Sequence, residues 1–184
     1  MRKPLAILFS AVLATCWAGS AAARGGHYTF DGGTPVEQRQ VEAALDTSSF
    51  DWGLVPSEIT IHIAPRTDTR AAPGEIWLDA GLVDAGTFAW GLIQHEYAHQ
   101  VDFFLLDASA RAALASALGA PAWCYEVQGL RHQQYGCERF ASSLAWAYWP
   151  SRDNCLRPIA KADEAGSMRP ARFRALLARL LTPA

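Results

Sequence analysis

The chain has 184 residues, 51% of them hydrophobic and 18% charged, with seven tryptophans and a formal net charge of −2. That is the size of one domain, with enough apolar material to bury a core without staples. The charged fraction lies below the ordinary ~25%, which argues against a disordered chain. The arginines are scattered with no basic stripe, which argues against a nucleic-acid partner.

The first 23 residues stand apart. Arg2 and Lys3 open the chain, Pro4 to Gly19 is an almost unbroken apolar run, and Ala21-Ala22-Ala23 forms a small-residue cleavage site. That is the layout of a secretory signal peptide, and the run is too short for an ordinary membrane span. The expectation is an exported protein, secreted or periplasmic, whose mature part has no membrane span. Lipid anchoring through Cys16 is disfavoured because Thr15 suits that motif poorly. Loss of Arg2 and Lys3 leaves 14 basic residues against 18 acidic ones, a net charge of −4. Export makes a disulfide plausible among Cys124, Cys137 and Cys155, with one thiol left over. The spacing does not say which two pair, and without a CxxC pair a structural zinc knuckle is not expected.

Residues 24–33 are Gly-rich and read as loose. Thr34-Pro35-Val36-Glu37 starts a helix, with Thr34 as cap, Pro35 at the first position and Glu37 closing a capping box. That helix runs to about Leu45. Ser57 to Ala64 alternates around Ile59, Ile61 and Ile63 and predicts a strand. Arg66 to Gly74 is a turn-rich loop, and Glu75 to Leu82 predicts a second strand. A long helix follows from about Thr87 to Leu106, its apolar stripe formed by Trp90, Ile93, Tyr97, Val101 and Phe104. Further helices are predicted over 108–118, over 137–149 before Pro150, and over 170–181. The order predicts an α+β fold in residues 24–184, with an upper lobe over about 34–106 and a helical lower lobe over about 107–184. Trp52, Trp77 and Trp90 read as core, and His27 and His62 as non-catalytic.

The chemistry concentrates in His95-Glu96-Tyr97-Ala98-His99. Residues four apart on a helix share one face, so two imidazoles at that spacing reach one metal ion. The Glu between them points to where a reacting water lies, which is the HExxH arrangement of zinc-dependent hydrolases. Polar groups in the middle of an apolar helix cost stability unless satisfied, and a metal satisfies them. Catalytic zinc usually takes three protein ligands. The xxGxxH continuation fails, because position 102 is Asp and position 105 is Leu. Seven carboxylates follow the motif: Asp102, Asp107, Glu126, Glu138, Asp153, Asp163 and Glu164. Glu138 is favoured. It opens a helix whose small residues allow close approach, although an acid there also suits the helix dipole. Asp102, on the face of His99, is read first as a partner behind a metal-bound histidine, then as ordinary polar surface, then as a ligand in place of Glu138.

His95-Glu96-xx-His99 followed by Glu138 at the start of an Ala/Ser-rich helix resembles the gluzincin group of zinc metallopeptidases, over roughly residues 58–149. The resemblance implies a zincin-like fold, with a small sheet whose edge strand near 75–82 holds an extended substrate and packs on the HExxH helix. It also implies zinc on His95, His99 and Glu138, Glu96 as general base, and a peptide or protein substrate. A Tyr or His is expected to stabilise the oxyanion, with Tyr135 and His132 as candidates and Tyr148 behind them. In thermolysin-like members the residue four after the ligand Glu is Asp; here it is Ser142. Two other functions fit the same residues: a non-catalytic binding module on this scaffold, and a metal-dependent hydrolase of cell-wall amides.

Overall fold

The computed structural model describes residues 25–182, so the segment read as a signal peptide lies outside the described residues. The fold is α+β, with a mixed four-stranded sheet and six α-helices. The strands are β1 (Tyr28–Gly32), β2 (Ile59–Ala64), β3 (Arg70–Ala72) and β4 (Glu75–Asp79), in the spatial order β1-β2-β4-β3. β1 and β4 run parallel to β2, and β3 runs antiparallel to β4. The helices are α1 (Pro35–Thr47), α2 (Ala80–Val83), α3 (Trp90–Leu105), α4 (Ala108–Leu118), α5 (Gly136–Tyr148) and α6 (Pro170–Leu181). Among the described residues, no helix is long and apolar enough to cross a membrane.

The local causes are visible in the residues. The Thr34 and Glu37 side chains exchange bonds with each other's backbone N–H and start α1 as a capping box. Ile59, Ile61 and Ile63 all point into the core from β2, with Ile76 and Leu78 beside them from β4. Asp107 caps α4 by accepting from Ala110 N at 2.7 Å. One apolar cluster runs from Val41 and Trp52 through Tyr97 to Phe140 and Phe173.

Five expectations are corrected. The stretch at 28–32 is a strand, because Tyr28 to Gly32 pairs in register with Ile59 to Ile63; pairing outweighs a Gly-rich composition. Part of the expected loop, Arg70–Ala72, is also a strand, turned back by Pro73-Gly74 with Gly74 at φ +82°, a backbone setting glycine adopts freely. As a result β4 is flanked on both sides, and the sheet edge is β3 rather than 75–82. β4 also ends at Asp79, whose carboxylate accepts from Leu82 N at 3.1 Å and starts α2. Trp77 is half-buried on the outer sheet face, not in the core; its ring stacks on His62 and lies under the Arg70 guanidinium.

The long helix α3 is the centre of the molecule. From Ile93 to Asp102 every residue is buried, the polar ones included. α3 packs against α1, α5 and the β3–β4 hairpin. Gln100 makes that last contact specific: its Oε1 accepts from Gly74 N at 2.9 Å, and its Nε2 donates to Ala72 O at 2.9 Å and Glu75 O at 3.1 Å. The β3 edge of the sheet is thereby fixed beside the HExxH residues.

Candidate metal centre

α3 and α5 lie directly against each other, with Ser142 of α5 bonded to His95 of α3 and the small residues Ala141, Ser142 and Ala145 all buried. This approach brings Glu138, in the first turn of α5, to the two histidines of α3. Glu138 Oε2 lies 3.2 Å from His95 Nε2 and 3.4 Å from His99 Nε2, and the two Nε2 atoms are 3.2 Å apart. The three side chains are buried. Together they could hold a metal ion.

The spacing fits a metal well. Ligand atoms at about 2.0–2.1 Å from a tetrahedral zinc stand about 3.3 Å from one another. Neutral imidazole has one N–H and one lone pair, so the facing Nε2 atoms and the carboxylate oxygen compete for the same few protons. A cation at the centre of the triangle satisfies all three at once.

The electrostatics of the metal-free protein point the same way. Burial disfavours a charged His95, but Glu138, Glu96 and Glu164 outweigh it and hold its pKa above the ordinary value. Burial likewise works against an ionised Glu138, but His95 and His99 outweigh it and hold its carboxyl far below the usual range. Glu96 is pushed up by burial, against the pull of the histidines.

The α5 end is held by the segment before it. Gly136 N and Cys137 N donate to Ala122 O and Trp123 O, each at 2.9 Å, which satisfies the first-turn amides. A side chain at Gly136 would meet the Trp123 ring at 2.7 Å, so only glycine lets the two segments touch. A disulfide joins Cys124 to Cys137, and Cys155 is free. The bond is compatible with an extracellular setting, and it uses the thiols of the neighbouring Cys124–Cys137–Glu138 cluster.

The centre opens onto a cleft of about 690 Å³. Glu96, Arg70 and Ala71 of the sheet edge, Leu92, Phe103 and Leu156 line it. His132 and Tyr125 complete the wall near Glu138. His132 Nε2 is 3.2 Å from Glu138 Oε2, and Tyr125 Oη donates to Glu138 Oε1 at 2.9 Å. His132 has its pKa raised first by its hydrogen bond to Glu164. Tyr125 has its phenol pushed up by burial and by Glu138. Tyr125 stands at φ 54°, a left-handed setting uncommon for an aromatic residue. Its neighbour Cys124 is in the disulfide and its hydroxyl meets Glu138, and such settings gather at functional sites.

Of the expected site residues, His95, Glu96, His99, Glu138 and His132 meet at this cleft. Tyr135 does not: its hydroxyl donates to Val127 O at 2.7 Å and its ring is buried. Tyr148 packs on Phe50 instead. Asp102 takes neither role considered for it near His99. It is 2% exposed and accepts from Arg111 Nε at 2.7 Å and Trp123 Nε1 at 3.0 Å, tying α3 to α4 and to the Trp123 segment. Glu126 accepts from Trp123 N, and Asp163 from Ile159 N and Ala160 N. Tyr125 was missed from sequence. Its signal was the adjacency of Cys124 to Tyr125 and of Cys137 to Glu138, which a disulfide would convert into proximity.

Comparison with protein-family models, with curated proteins and with solved structures finds no match for this chain.

Proposed function

We propose that this chain is an exported zinc-dependent peptidase, with His95, His99 and Glu138 as metal ligands and Glu96 as general base. The observation that carries the reading is the convergence of three buried donor atoms at 3.2–3.4 Å beside a fourth, cleft-lining acid. Bound there, zinc would supply Lewis acidity and make water a better acid. A metal-storage or structural site has no use for Glu96, whose burial has a price in desolvation.

The protein's own residues account for the rest. Glu96 accepts a proton from the attacking water and returns it to the departing amine. His132 and Tyr125 present N–H and O–H groups on the Glu138 side of the cleft, where the carbonyl oxygen gains negative charge. The β3 edge beside the cleft suits an extended peptide, whose main chain can pair with the outer side of an edge strand.

The test is zinc content and peptide hydrolysis in the mature protein and in Glu96→Gln. About one zinc per chain is expected in both, with hydrolysis lower by roughly 10²–10⁴-fold in the variant. A variant of undiminished activity, or a parent that turns over no peptide while loaded with zinc, overturns the peptidase reading.

A further inference from the structure

Metal ligands need orienting as well as placing. An imidazole that ligates through Nε2 keeps its proton on Nδ1, and the partner of that N–H fixes the tautomer and the ring plane. For His95 the partner is Ser142 Oγ, at 3.0 Å. A hydroxyl can accept this bond and still has one proton to give. Ser142 gives it to Glu164 Oε2, at 2.6 Å, a length in the range of charge-assisted O–H···O⁻ bonds. Ser142 is 1% exposed, so water does not compete for these bonds. A carboxylate therefore stands behind His95, one hydroxyl removed.

The second oxygen of Glu164 is used as well. Glu164 Oε1 lies 3.0 Å from His132 Nδ1, which leaves His132 Nε2 on the cleft side, 3.2 Å from Glu138 Oε2. Burial works against an ionised Glu164, but His132 and Ser142 outweigh it and hold its pKa below the usual value. The carboxylate sits at the start of a single 3₁₀ turn, Glu164–Gly166, packed on α5. A side chain on Gly166 would run into the Ala160 carbonyl, so glycine there lets the turn close.

We infer that Glu164 is a positioning residue that aligns two histidines at once, His95 through the Ser142 hydroxyl and His132 directly. The inference rests on the metal-site reading above. A purely structural Glu164, fastening the 160–166 segment to α5, would lower stability when removed and leave metal affinity as it was.

Zinc affinity, measured by competition with a chromophoric chelator at pH 7.5, separates the two. The proteins are the mature parent, Glu164→Gln, Ser142→Ala, the double variant and His132→Ala. Each of the first two substitutions should weaken zinc binding roughly 10–100-fold. The double variant should bind within about twofold of the weaker single variant, since both changes cut one relay. His132→Ala should weaken zinc binding less than Glu164→Gln does, because it leaves the Ser142 relay to His95 intact. If Glu164→Gln fails to melt cooperatively without metal, Ser142→Ala carries the test, because it removes the hydroxyl alone. Unchanged affinity in Glu164→Gln, with the parent binding zinc, overturns the inference and leaves the peptidase reading intact. Fully additive losses in the double variant overturn the route through Ser142. A parent that binds no zinc overturns the metal reading itself.

Discussion

Among the described residues, two histidine–carboxylate clusters are built in opposite ways. On the outer sheet face, His62 Nδ1 meets Asp31 Oδ2 at 2.8 Å and His62 Nε2 meets Glu75 Oε1 at 3.3 Å. Its two nitrogens point away from each other, so the carboxylates flank the ring and share no point. Between α3 and α5, two Nε2 atoms and one carboxylate oxygen point at the same small volume. The surroundings differ too. Asp31 and Glu75 side chains are 73% and 49% exposed, against 5% for Glu138. The residue types are the same in both clusters. Convergence and burial distinguish a candidate metal site from an ordinary surface ion pair, whose worth is about 0–1 kcal/mol.

The largest effect should come from removing the shared oxygen. Glu138→Ala leaves two facing imidazoles and no anion, and zinc affinity should fall by more than the roughly 100-fold that marks loss of an outer partner. Chelator competition checks this, and near-parental affinity would mean that the convergence of the three atoms is incidental. His132→Ala should come next. Its Nε2 reaches the cleft but does not join the ligand triangle, so kcat for peptide hydrolysis should fall by roughly 10²-fold with KM little changed. Steady-state kinetics at saturating zinc would contradict this if the loss appeared in KM alone.

The sequence carried the centre of this site and little of its surroundings. The HExxH spacing needs only a helix to become geometry, and the helix over 87–106 was legible from its apolar stripe. Glu138 could be favoured because a third ligand was needed and small residues flanked it. The supporting residues had no such local signal. Asp102 lies on the HExxH helix near His99, yet Arg111 and Trp123 claim it. Glu164 lies 26 residues beyond Glu138 and reaches Ser142 only because the last 3₁₀ turn folds back on α5. Sheet order was illegible for a related reason. β1 and β3 are short, and pairing with β2 and β4, rather than their own composition, makes them strands.

Proton competition gives a smaller, graded effect with a definite sign. In the metal-free protein the pKa of His95 is raised, so its contribution to stability is full below the unfolded value of about 6.5 and is lost as pH rises through the folded value. The pKa of Glu138 is lowered, so its contribution is present above about 4.3 and lost as pH falls through the folded value. These two groups should therefore stabilise the metal-free form most in the weakly acid window, roughly pH 4.5–6.5. Zinc needs neutral histidines and displaces these protons, so its affinity should rise by up to about tenfold per pH unit for each proton released. Melting curves with and without zinc between pH 5.5 and 7.5 should show the zinc-induced increment growing. An increment that shrinks with pH would indicate that zinc binds away from His95.

The smallest effect is the one most diagnostic of the contrast. His62→Ala removes a ring that stacks on Trp77 at 5.1 Å and bridges two exposed carboxylates. The pairs are screened by water, and the Arg70 guanidinium still covers Trp77 at 3.7 Å after the ring is gone. Stability should change by no more than about 1 kcal/mol, and zinc affinity should not change, because no ligand atom lies on that face. Urea unfolding and the same chelator competition read both quantities on one protein. A loss of zinc in His62→Ala would show that the sheet cluster, with its divergent nitrogens, is coupled to the metal after all. Convergence at the α3–α5 contact would then no longer suffice to locate the site.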